Sequence, residues 1–150
     1  MVQMLPHTSA YDSSHHKVLR SERKDGPFPG DMDYLEFLHK LVGSHEAKTA
    51  FEQAVEIAVL VYEDVLSIHN QRTTRAIRTR QALYCGLSEG VGQIVRANHA
   101  KQIGWDLLEH YELLEYSFEH IIMEYQEEFA HLDDFELLIS ASRVKLKHAP

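Results

Sequence analysis

The stretch EHYELLEYSFEHIIMEYQEEFAH, residues 109–131, mixes acids and histidines with aromatic and aliphatic residues. Stepped at about 100° per residue, Leu107, Tyr111, Leu114, Phe118, Ile121, Ile122, Tyr125, Phe129 and Leu132 fall within about 50° of one line. Their alternating spacing of four and three is the seam of helices packed at shallow angles. The reading is one continuous helix, with its hydrocarbon inward and its carboxylates toward solvent. The stretch also ends in a Glu-x-x-His pair, Glu128 and His131, matched upstream by Glu36 and His39. Ferritin-like di-metal sites use such pairs, but their ligands must point into the bundle. Here both pairs fall away from the apolar stripes, so no metal site is expected.

Working outward, three Asp-x-x-Glu starts recur, at Asp33, Asp106 and Asp133. In each the Asp can accept from the exposed N–H groups of a first turn, and the Glu stands at the favourable end of the helix dipole. Thr73 and Ser44 are candidate caps for two further helices, and Gly43 and Gly104 are candidate stops. A second helix over about 45–69 is apolar over a wide arc and should be the most buried. A third, over about 73–102, has an apolar stripe through Leu83, Leu87, Val91, Ile94 and Val95. Tyr84 is read as part of the same stripe, and beside that stripe runs a small-residue flank, Thr79, Gly86, Gly90 and Ala97, where another helix could come close.

Residues 1–30 hold three of the four prolines and read as a flexible N-terminal arm. The fold class is therefore all-α: an antiparallel helical bundle of four to five helices over residues 31–150, preceded by that arm. With 44% hydrophobic and 25% charged residues, the chain has ordinary globular composition. Cys85 is the single cysteine, which excludes an intrachain disulfide and suits a reducing, cytoplasmic setting. The opening residues lack the apolar core of a signal peptide, and no stretch is apolar enough for a membrane span.

Charge is distributed unevenly. The formal net charge is −8, yet Gln102–Ser142 contains eleven acids and no Lys or Arg, while the rest of the chain carries 15 basic against 12 acidic residues. Between Val65 and Ser88 the bias reverses, with Arg72, Arg75, Arg78 and Arg80 and no acid. Acids along one helix repel each other and attract a basic surface. The expected function is thus a non-enzymatic interaction or regulatory protein. It would dock a basic partner through Glu109, Glu112, Glu119, Glu124, Glu127 and Glu128, with mimicry of a nucleic-acid phosphate row as one form of this. The plainer reading is that these acids pair with the arginines at 72–80 inside the bundle. Direct nucleic-acid binding, confined to that arginine patch, is disfavoured by so acidic a chain. Tyr116 and Met123, read as lying on the outer face of the fourth helix, leave room for a homodimer. His110, His120 and His131 among the acids suggest pH-sensitive docking. No phosphate loop, zinc spacing or strand-borne nucleophile argues for catalysis.

One alternative comes from resemblance. His69 lies on the apolar arc of the second helix, and the run HAKQIGWDLLEHYELL beginning at His99 resembles bacterial globins, in which a haem-ligating histidine precedes a glycine and an aromatic-bearing last helix. That resemblance implies haem, with His99 proximal and His69 distal. The run YCGLSEGVGQ, residues 84–93, also resembles the glycine-kinked helix over haem in haem oxygenases.

Overall fold

In the computed structural model, residues 27, 29, 31, 33–43, 49–97 and 103–148 are described. Among them are seven α-helices and no strand. They are α1 (Tyr34–Gly43), α2 (Ala50–Asn70), α3 (Ile77–Tyr84), α4 (Leu87–Ala97), α5 (Ile103–His110), α6 (Phe118–Glu124) and α7 (Phe135–Lys147). Two short 3-10 helices, Leu114–Tyr116 and Gln126–Phe129, flank α6. The all-α expectation holds. Of the expected arm only Pro27 and Pro29 are described, and Ser44 and His99 lie outside the described residues.

The axis of the molecule is α2. Its start is a capping box: the Thr49 hydroxyl accepts from Glu52 N–H and the Glu52 carboxylate accepts from Thr49 N–H. From there its apolar residues serve two cores. Phe51, Val55, Ala58 and Val59 pack with Val91, Val95, Phe118, Ile121, Ile122, Phe129, Leu138 and Ile139. Ile57, Val61, Val65 and Ile68 pack with Tyr34, Leu38, Val42, Leu107, Leu108, Tyr111 and Leu113. The wide apolar arc read from sequence is this double duty: α2 has protein on more than one side.

Two predicted long helices are broken. The first, over 73–102, divides at Cys85 and Gly86 into α3 and α4, which pack on each other. The small-residue flank explains how: a Cβ at Gly90 would sit 2.6 Å from the Ala82 carbonyl oxygen. What comes close is therefore the other half of the same predicted helix. Thr73 is not its cap, since α3 begins at Ile77 after Ala76. The loop before it is pinned by Ser67, whose hydroxyl accepts from Thr74 N–H at 2.8 Å.

The second break falls inside the opening stretch. After His110 the chain turns through Glu112 at φ 58°, and Leu113 N–H closes onto the Leu108 carbonyl at 2.7 Å. This is a Schellman-type stop made without glycine. Ser117 then starts α6 afresh, its hydroxyl accepting from His120 N–H at 3.1 Å. Asp106 sits inside α5 instead of capping it. Asp133 is likewise displaced, because Asp134 occupies the cap position of α7 and makes no side-chain cap bond. Gly104 is no stop: it lies in the first turn of α5, where a Cβ would meet the Tyr62 ring at 2.6 Å.

Candidate functional site

The acids of the predicted docking face do not share one fate. Glu112, Glu124, Glu127 and Glu128 are exposed and Glu109 is half-buried. Glu119 is buried at 3% exposure, and its carboxylate accepts from Lys145 Nζ of α7 at 3.1 Å. That lysine also lies 4.6 Å from the centroid of the Trp105 ring. Glu119 is thus a fastening between α6 and α7 and is withdrawn from any docking surface. The continuous-helix reading had assigned it to solvent, and the restart at Ser117 turned it inward.

Because α6 gives way to a 3-10 turn after Tyr125, three of the remaining acids gather. Glu124, Glu127 and Glu128 line one open depression of about 390 Å³, together with Met123, Tyr125 and Gln126. Glu124 has the His120 ring Nδ1 at 3.6 Å, whereas Glu127 and Glu128 have no cationic partner among the described residues. Burial, and next the Glu124 charge, push the Tyr125 hydroxyl above its ordinary range. Glu109 and Glu112 do not line this depression.

The arginine patch is also divided. Arg72, Arg75 and Arg78 are exposed, but Arg80 is engaged with a carboxylate of α2. Glu63, buried, accepts from Arg80 Nε and Nη2 at 2.6 Å each and from Ala76 N–H at 2.9 Å. Glu63 therefore supplies the cap that α3 lacks in its own sequence. Nothing in local spacing marks Glu63, which sequence reasoning missed. Tyr34 and Asp64 are a second such pair, with the phenol donating to the carboxylate at 2.6 Å.

Tyr116 and Met123, read as outer-face residues for a dimer, instead pack against the cores. Glu36, His39, Glu128 and His131 are all exposed, and among the described residues no group of three or more His, Cys, Asp or Glu side chains could hold a metal ion. Glu36 pairs with Lys40 at 3.3 Å, one turn along α1. His69, in the last turn of α2, is half-buried, and its Nδ1 has no hydrogen-bond partner among the described residues.

One cluster was invisible in sequence because its members lie more than forty residues apart. His131 Nε2 lies 3.1 Å from Glu89 Oε2 and 3.4 Å from Ser88 Oγ, while Ser88 Oγ donates to Glu89 Oε1 at 3.2 Å. The Glu89 backbone N–H, and after it His131, hold the Glu89 carboxyl below its usual range. A nucleophile relay needs the acid on one ring nitrogen and the hydroxyl on the other. Here both contend for the same nitrogen, so the cluster is a surface clasp between α4 and the segment before α7.

The chain matches no family model, no curated protein and no solved structure. Its own geometry carries the reading of the site. No helix among the described residues is long and apolar enough to cross a membrane.

Proposed function

We propose that this is a helical interaction protein that takes a basic protein surface into the depression formed by Glu124, Glu127 and Glu128. The observation that supports this is the contrast between paired and unpaired acids. Glu119 and Asp134 are matched to Lys145 and Arg96, while Glu127 and Glu128 are left without a cation among the described residues beside a concave floor. An Arg or Lys side chain suits that floor chemically. The carboxylates take the charged head, and the Met123 thioether adapts to the aliphatic stem.

The test is fluorescence anisotropy with a labelled Lys/Arg-rich peptide across a sodium chloride series. Three exposed charge pairs contribute about 0.2–1 kcal/mol each, so the E124K/E127K/E128K variant should bind about three- to a hundredfold more weakly. A control of equal net charge, E36K/D106K/E115K, lies outside the depression and should lose less than about threefold, since only screened long-range charge is changed. Equal losses in both variants, or binding indifferent to salt, would refute the assignment. A second reading, haem held by His69 with His99, draws support from the enclosed, unpartnered His69 Nδ1. Failure of added hemin to shift its Soret band removes it.

A further inference from the structure

The charges of α7 have two fates. Facing the protein, Lys145 reaches Glu119, and Asp134, just ahead of the helix, reaches Arg96. Facing away, Glu136, Leu137, Ser140, Arg143, Val144 and Lys147 are all exposed. Their spacing of three and four places them along one stripe. Glu136, Arg143 and Lys147 make no ion pair among the described residues. Leu137 and Val144, seven residues apart, are 72% and 55% exposed.

This stripe is antisymmetric about Ser140. Its acid, Glu136, lies toward the N-terminal end, and its bases, Arg143 and Lys147, toward the C-terminal end. A second α7 laid antiparallel would set Leu137 beside the second copy's Val144. Small Ser140 would meet Ser140, which lets the backbones approach. Glu136 would lie near the second copy's Arg143. The helix dipoles would also oppose. A parallel pair would set like charge on like.

We propose that the outer stripe of α7 is a self-association surface that pairs antiparallel with α7 of a second copy of this chain. Thirteen residues make a helix only about 20 Å long. A single pair of such helices falls short of the roughly 1,600 Å² of a stable interface, so the dimer is weak and depends on concentration. Its consequence is bivalency: two acidic depressions per particle, which favours partners that present two basic sites. The surface goes beyond the docking reading and stands without it, since its test uses no partner.

Sedimentation of the full chain from micromolar to millimolar concentration should show mass moving from one chain toward two. L137D/V144D should remain monomeric. The single charge variants E136R and R143E should dimerise about three- to tenfold more weakly. The double variant E136R/R143E rebuilds each cross-pair in reverse and should recover the original constant. If the aspartate variant fails to fold by circular dichroism, the charge series alone decides. A protein monomeric throughout, a dimer that survives L137D/V144D, or a double swap no better than the singles overturns the proposal.

Discussion

Glu63 and Arg80 form a two-pronged ion pair, both bonds 2.6 Å, between the buried wall of α2 and the first turn of α3. The same carboxylate accepts from Ala76 N–H, so one side chain both fastens α3 and caps it. Arg80 is the more exposed partner, 40% against 9% for Glu63, and the two truncations are therefore not equivalent. R80A leaves a carboxylate in the interior with one backbone donor, and should cost about 2–3 kcal/mol in urea unfolding. E63A frees Arg80 to reach water but orphans the Ala76 amide, and should cost about 1–2 kcal/mol. An E63A loss larger than the R80A loss would contradict this account.

Glu119 and Lys145 give the acidic stretch its inward member. E119K should lower the melting temperature, whereas E127K should leave it nearly unchanged, since only Glu119 is buried against a lysine. Trp105 is the single tryptophan, and Lys145 lies over its ring. K145A should therefore shift the intrinsic emission as well as the melting point. Unchanged emission would place the lysine elsewhere in solution.

Gly90 carries the close contact of α3 with α4. G90A improves helix propensity by about 1 kcal/mol but drives a methyl into the backbone at Ala82 and Leu83, where overpacking costs about 1–3 kcal/mol. The net effect on the urea midpoint should be a loss. G92A is the contrast, because its nearest atom is the Leu138 Cδ1 methyl at 3.2 Å, a side chain able to yield. If the two variants behave alike, the backbone contact is not what limits position 90.

Tyr111 contributes to stability on the alkaline side. Burial pushes its phenol up to about 12 from 10.0, and its hydroxyl has no hydrogen-bond partner among the described residues. The folded value lies above the unfolded one, so this contribution is complete below about pH 10 and disappears as pH rises toward 12. Y111F keeps the ring and removes the ionisation. It should fold at neutral pH and resist alkaline unfolding further than wild type, followed by circular dichroism. Coincident alkaline transitions would assign the sensitivity to other tyrosines.

Particular residues show where sequence reasoning stopped. Of the nine apolar residues on the seam, Leu107, Tyr111, Phe118, Ile121, Ile122 and Phe129 are buried, while Leu114, Tyr125 and Leu132 are half-buried against the cores. The single helix drawn through them is broken. Glu112 and Gln71 both adopt left-handed backbone, at φ 58° and 55°. That conformation costs an ordinary residue about 1–2 kcal/mol, so glycine is its usual sign and none was present to read. Ser117 was a legible cap signal that the continuous periodicity overrode, and the Thr49–Glu52 box was one passed over in favour of Ser44. Glu128 and His131 did prove exposed, though the helix on which their angles were reckoned does not run through them.

By itself the sequence determined the all-helical class, the identity of most core residues, the central burial of α2 and the acidity of residues 102–142. Those follow from local spacing and composition, which tertiary contacts do not alter. Only the tertiary structure decided which acids face inward, where the two long periodic runs break, and that Glu63 caps a helix thirteen residues away. A carboxylate's partner is fixed by distance in space. The partners of Glu63 and Glu119, seventeen and twenty-six residues along the chain, have no signature in local order.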